Sequence, residues 1–437
     1  MIKSISQEPA QTRGSKKRWT RIIPLTLVMY TIAFIDRTNI SMGLPSISRD
    51  LHLSPTQAGA VAGVFFWGYL LLQVPGGHFA SRWSSKRLIA ILLLLWGLCA
   101  IGCGLTTSWR ELWTMRFLLG VAEGGVWPST LILLSNWFPR AERARANAWF
   151  MLCIPLSVII ASPISGWILS RWDWRVMLIA EGSLPILWLV VWLRKIDDRP
   201  AKAAWLSKEE RDDLEGLLAE EREEVEKLKP QPYLKALFEP QVMVMVMMYF
   251  LFSVASTGYL FWLPTVLESA RKMGDLFVGI LMAIPFIVTG IMMVLNSWHS
   301  DISGERRGHV AAAVGSAGVF LLLAVWASHF SQLLAYIFLC LAAGGPYVAL
   351  GPFWAIATET LPHKTLGAAM GLITGLGNLG GYFGPLWVGY LNQHSGNFVG
   401  GFSLMGICFL VASSLTLLLR SSSAVRPLQK IRWTRGC

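Results

Sequence analysis

Twelve apolar runs, each about as long as a helix needs to cross a bilayer, limit what this chain can fold into. They fall near 20–42, 56–78, 87–107, 112–137, 145–170, 174–194, 239–264, 276–298, 308–328, 331–358, 366–392 and 397–419. About 20 apolar residues at a rise of about 1.5 Å match a hydrocarbon core about 30 Å thick. Lipid offers no partner to backbone N–H and C=O groups, so segments of this kind satisfy them internally, as helices. Only 15% of the residues are charged, against about a quarter in soluble domains. The expected fold class is all-α integral membrane, with twelve transmembrane helices.

The basic residues are distributed to match. If both termini face the cytoplasm, 30 of the 38 Lys and Arg lie on that side, and the opposite loops hold Arg49, Arg110, Arg171, Arg175, Arg271 and Lys272. That is the asymmetry of the positive-inside rule. The net charge of +12 therefore sets topology rather than a nucleic-acid surface. The residues before Thr20 are polar and basic, and the apolar run after them is long enough to stay as a first helix instead of being cleaved as a signal. The expected location is a bacterial cytoplasmic (inner) membrane, multi-pass, with both termini inside. The expected partners are lipid and a small solute, not nucleic acid, and the expected functional unit is a monomer. Cys99, Cys103, Cys153, Cys340 and Cys408 fall within predicted spans and Cys437 is terminal, which gives neither a disulfide framework nor a zinc pattern.

A charged stretch at 195–235 separates six spans from six. The chain thus reads as a tail (1–19), a six-helix bundle (20–194), a cytoplasmic linker with one amphipathic or solvated helix (195–235), a second bundle (236–420) and a tail (421–437). Punctuation recurs at an offset of about 220 residues. GHFASRWSSKR, with Gly77, Arg82, Lys86 and Arg87, follows the second span, and SWHSDISGERR, with Asp301, Gly304, Arg306 and Arg307, follows the eighth. Pro139 answers to Pro362, and Ser162-Pro163 to Gly384-Pro385. Two six-helix pseudo-repeats of this sense are expected to place a substrate site between them near the midplane.

Four ionisable residues interrupt the spans: Asp36 and Arg37 in the first, Arg116 and Glu123 in the fourth. Each is costly in lipid unless paired or facing water, so the cluster marks a functional site. Helical rise puts Asp36 and Arg116 at similar depths, about 9 and 6 Å from the outer edge, and Glu123 about 10 Å deeper than Arg116. An Asp36–Arg116 ion pair is expected. The four charges sum to zero, so an organic anion arriving beside Arg37 leaves a negative excess that a proton can cancel. Anion and proton then bind to mutual advantage. The competing reading is that the charges only neutralise one another and fix packing. Glu181, near the outer end of the sixth span, is open to a capping or packing role as much as to transport. None of the seven histidines lies mid-span. The second half carries no charge deep in a span, so its substrate contacts are expected to be polar or aromatic: Ser253, Ser256, Thr257 and Tyr259, then Tyr347 and Trp354, then Asn378.

The two basic loops resemble the signature of the major facilitator superfamily, although Ser81 and Ser84 stand in place of its acid and glycine in the first loop, and Ser297 and Ile302 in place of its glycine and arginine in the second. DRTNIS (36–41), RFLLGVAEGG (116–125), the AEG around Glu181 and GNLGGYFGP (377–385) are similar to the anion:cation symporter family. Its members carry sugar acids, tartrate, phthalate and hydroxyphenylacetate with protons. The resemblance implies that Asp36 and Glu123 carry protons and that Arg37 holds the substrate carboxylate. It also implies that Tyr69 lines the cavity, that Arg116 pairs with Asp36, and that Arg82, Asp301 and Arg306 serve ion-pairing or gating. The expected function is proton-coupled symport of an organic anion by alternating access, with an exchanger, an exporter or a transporter-like sensor as alternatives. No G-x-x-x-x-G-K-[ST] loop and no nucleophile–base or metal constellation is present, so neither ATP nor enzyme chemistry is expected, and no cofactor beyond protons.

Overall fold

The computed structural model describes residues 13–226, 239–271, 274–361 and 363–419. Pro362, Lys272, Cys437, the outer parts of both tails and the end of the linker fall outside the described residues. Among those described, every regular element is a helix. The first six are α1 (Arg13–Asp50), α2 (Pro55–Arg82), α3 (Ser85–Gly104), α4 (Trp109–Trp137), α5 (Arg145–Arg171) and α6 (Trp174–Lys195). The linker contributes α7 (Lys208–Glu226). There follow α8 (Pro240–Arg271), α9 (Asp275–Ser303), α10 (Arg307–Ala327), α11 (Gln332–Thr360), α12 (His363–Asn378 and Gly380–Ser395) and α13 (Val399–Leu418). Eleven of the described helices are long and apolar enough to span a membrane, and α12 completes the expected set.

Local chemistry sets the helix starts. Ser54 opens α2 with a capping box, its side chain accepting from the Gln57 N–H while Gln57 accepts from the Ser54 N–H. Ser84, Ser108, Asp173 and Ser331 each accept from a first-turn N–H of α3, α4, α6 and α11. The two repeated loops part here. Gly304 adopts φ +67°, which favours glycine, whereas Ser84 at the matching place is extended and spends its hydroxyl on the α3 cap.

Several spans are stepped rather than straight. α4 breaks at Gly125, two residues past Glu123, and α6 at Ser183, two residues past Glu181. α2 and α4 pack at backbone contact, because a Cβ on Gly120 or Gly124 would collide with the carbonyl of Phe65 or Tyr69. Those two glycines bring the polar residues of α4 against the aromatic face of α2.

The chain forms two compact units. Unit 1 takes residues 1–229, 260–283 and 385–393. Within it Arg49 pairs with Glu268 at 3.4 Å, the Thr56 hydroxyl donates to Gln393 Oε1 at 2.6 Å, and the Trp262 indole donates to the Pro385 carbonyl at 2.9 Å. α7 is docked here. Leu214 and Leu218 are buried, Trp205 stacks on Trp137 at 5.2 Å, Glu221 accepts from the Arg140 N–H and Arg143 Nη2, and Glu210 pairs with Lys17 at 3.1 Å. Unit 2 takes residues 230–259, 284–384 and 394–437. In it Gly318 of α10 meets Gly406 and Leu410 of α13, and the Tyr259 hydroxyl donates to the Leu339 carbonyl at 3.0 Å.

Candidate functional site

The charged cluster is assembled inside unit 1. Asp36 and Arg37 are neighbours on α1 and so point about 100° apart. That angle decides their partners.

Arg37 turns toward α4 and α2. Its Nε donates to Glu123 Oε2 at 2.6 Å and its Nη2 to the Tyr30 hydroxyl at 3.2 Å, and Tyr30 and Tyr69 share a hydrogen bond at 3.3 Å. The guanidinium carbon lies 4.6 Å from the Tyr69 ring centre, 4.8 Å from Phe34, 5.3 Å from Tyr30 and 5.4 Å from Phe65. Four rings thus surround one cation, each adding attraction in a poorly solvated site. Nη1 makes no hydrogen bond to any described residue, and Arg37 keeps 9% of its surface exposed. Glu123 is fully buried, with Oε1 unpartnered.

Asp36 turns instead toward α3. Its Oδ2 accepts from the Trp96 indole at 2.5 Å, and Oδ1 has no partner. The expected Asp36–Arg116 side-chain pair is not formed. Arg116 Nη1 donates to the backbone carbonyl of Asp36 at 3.1 Å and Nη2 to that of Ala62 at 3.4 Å, leaving Nε unpartnered. Similar depth does not fix azimuth, and the Asp36 carboxyl faces Trp96 instead. Arg116 is buried and ties α4 to α1 and α2 through carbonyls.

For Glu181 the sequence left a capping or packing role open beside one in transport. It is 4% exposed, lies in the body of α6, and accepts from the Ser165 hydroxyl at 2.6 Å, so it caps no helix end.

In unit 2 the residues proposed for substrate contact divide. Tyr347 packs against Phe286, 6.2 Å between ring centres, while the Ser256 hydroxyl donates to the Phe252 carbonyl. Trp354 packs against Tyr249 and Phe353, 5.8 and 5.1 Å between ring centres. Asn378 is partly exposed, and its side chain hydrogen-bonds to no described residue. Thr257 and Tyr259 donate their hydroxyls to the carbonyls of Ser253 and Leu339.

The loop residues separate likewise. Arg306 pairs with Asp301 at 2.5 Å and with Glu359 at 3.2 Å. Arg82, exposed at the end of α2, makes no ion pair with any described residue. The acid of the loop pattern is replaced there by Ser81, whose hydroxyl turns back to the His78 carbonyl.

Sequence reasoning missed Tyr30, Phe34, Trp96 and Glu359. Tyr30 was findable, being two turns before Arg37 on one helix face. No sequence signal links Trp96 to Asp36.

The profile of the Major Facilitator Superfamily matches residues 26–277 and 270–434. A protein of Agrobacterium vitis named as a tartrate transporter is 34% identical over 418 residues, covering 94% of this chain and 95% of its own. A quinolone resistance transporter of Acinetobacter baumannii is 28% identical over 409 residues, covering 91% and 93%. The solved xylose transporter XylE of E. coli superposes with a TM-score of 0.73 at 15% identity, covering 91% of this chain and 95% of that one, a likeness of fold. These relatives are membrane transporters, and this chain is a multi-pass membrane protein of their kind rather than an enzyme. With the matched profile spanning nearly all its helices, the chain belongs to the major facilitator superfamily.

Proposed function

We propose that the chain imports an organic acid together with protons across a bacterial inner membrane, as a monomer working by alternating access with both termini cytoplasmic. The observation that carries the reading is Arg37: a cation boxed by four aromatic rings, engaged by Glu123 through Nε and open at Nη1. An incoming carboxylate can use the planar fork of a guanidinium, and in doing so competes with Glu123 for it.

Charge balance supplies the coupling. Asp36, Arg37, Arg116 and Glu123 sum to zero, so each negative charge brought into this buried cluster calls for a positive one. A proton on Glu123 both cancels the charge and releases Arg37 to the substrate. When the proton leaves, Glu123 reclaims Arg37 and displaces the anion. The unpartnered oxygens Glu123 Oε1 and Asp36 Oδ1 offer a place for such protons. Proton and anion thereby favour one another's binding. The tartrate relative supports a carboxylate cargo, with Tyr69, whose ring faces the Arg37 guanidinium, as a further contact.

The test uses purified protein in vesicles, first screened by thermal shift against tartrate, sugar acids and aromatic acids, since a ligand of the native state raises its stability. Uptake of the best ligand should follow an imposed pH gradient and collapse with a protonophore. Uptake that instead requires a counter-anion inside the vesicle would replace symport by exchange. The quinolone resistance relative favours one second reading, export of a carboxylate-bearing compound, which inverted vesicles distinguish by the direction of accumulation.

A further inference from the structure

Glu181 is a third buried acid of unit 1 that the scheme above leaves idle. It projects from α6 just before the step at Ser183, where Gly182 packs against the backbone of Ala100 on α3. Among the described residues, no cation pairs with it. From α5, the Ser165 hydroxyl donates to Oε1 at 2.6 Å. From α1, Asn39 lies within hydrogen-bonding reach, and Asp36, one turn earlier, is near enough to act on Glu181 through space. α3, which Gly182 meets at Ala100, carries Cys99 and Cys103 on that stretch, and its Lys86 and Arg87 lie at the opposite end. Arg175, on the same helix, is committed to Asp50 at 2.5 Å, and Arg116 to the carbonyls of Asp36 and Ala62.

An ionised carboxylate in such a place is heavily penalised: burial removes its hydration and no cation compensates. Glu181 Oε2 and Asn39 Oδ1 are both buried acceptors without a donor. A proton on the carboxyl removes the charge and supplies the donor that Asn39 Oδ1 lacks. Glu123 differs because it has Arg37, and Asp36 because it has the Trp96 indole.

We propose that Glu181 is a third proton-binding carboxyl of this carrier, holding its proton in the conformation described here, with Ser165 and Asn39 as its polar neighbours. Proton binding at Glu181 stands on this geometry alone; its use in transport rests on the proton-coupled reading above. It places a proton store beside the α1 turn that carries Asp36.

Infrared difference spectroscopy of the purified full-length protein in lipid, with proton-to-deuteron exchange, reads protonated carboxyls through their carbonyl stretch. Wild type should show a band that Glu181→Gln abolishes. Ser165→Ala should keep the band and move it to higher frequency, as a carbonyl that loses a hydrogen bond does. A wild-type spectrum unchanged by Glu181→Gln would overturn the proposal. If that variant does not fold, Ser165→Ala decides: a shifted band supports the assignment, and an unshifted spectrum removes it. Wild-type vesicles that ignore a pH gradient would sink the symport reading while leaving the Glu181 band in place, so the two fail separately.

Discussion

Glu123 holds Arg37 at 2.6 Å, and it does so through Nε, leaving Nη1 without a hydrogen bond to any described residue. The residue expected to bind the substrate and the residue expected to carry a proton are therefore each other's partner. In the proposed scheme, substrate affinity and proton occupancy are tied through this hydrogen bond.

Arg37→Lys should lower substrate affinity by roughly 100-fold, because lysine keeps the charge but has no planar fork and stacks poorly within the rings of Tyr30, Phe34, Phe65 and Tyr69. Arg37→Ala should be worse, since it strands buried Glu123 at a cost of about 3–5 kcal/mol. Calorimetry with the ligand found by thermal shift measures both, and wild-type affinity in either variant would remove Arg37 from the site.

Glu123→Gln should bind substrate at least as tightly as wild type and fail to concentrate it. The amide no longer neutralises Arg37 with a full charge, so the competitor is weakened, but it cannot exchange a proton with the solvent. Equilibrium binding and gradient-driven uptake, measured on one preparation, separate these effects. Uphill uptake at the wild-type level would show that another group carries the coupling proton.

Trp96→Phe should perturb Asp36 more than Arg116→Gln does. The indole donates directly to Asp36 Oδ2, and losing such a donor to a buried acid costs about 1–3 kcal/mol. Arg116 meets only the Asp36 backbone carbonyl, which Asp36→Asn retains. Double-variant cycles on the pH profile of transport should accordingly show strong coupling of Trp96 with Asp36 and near-additivity of Arg116 with Asp36. The reverse ranking would restore the side-chain pair that the sequence suggested.

Arg306→Ala should slow transport with little change in substrate affinity, since Arg306 ties Asp301 near the end of α9 to Glu359 near the end of α11 and bonds to none of the proposed substrate contacts. Arg82→Ala should be nearly silent. Initial rates and binding constants for the pair of variants check the asymmetry, and equal losses of rate would refute it.

The docked linker should loosen at low pH. The Ser207 backbone N–H, and then Lys17, hold the Glu210 carboxylate below its usual range. A value lowered in the folded state means that the contact stabilises docking above the ordinary carboxylate range and loses its effect as pH falls through the lowered value. Hydrogen exchange across α7, or Trp205 fluorescence, followed downward in pH should report release. Glu210→Gln should make that signal less dependent on pH over the same interval.

The sequence by itself determined the spans and the linker helix, because hydrophobic length and helical period are properties of consecutive residues. Prediction of 174–194 met a helix at Trp174–Lys195, and 276–298 lies within Asp275–Ser303. It also singled out Asp36, Arg37, Arg116 and Glu123, since charge inside lipid is conspicuous wherever it occurs. Only the tertiary structure decided who faces whom. Neighbours on one helix diverge by about 100°, and this sends Arg37 to Glu123 and Asp36 to Trp96. The close approach of α2 and α4 at Gly120 and Gly124 supplies the aromatic wall around Arg37. Glu181 was visible in the chain as one acid among apolar residues, but its lack of any cation partner is a property of the packed helices, set by what α1, α3 and α5 bring to it.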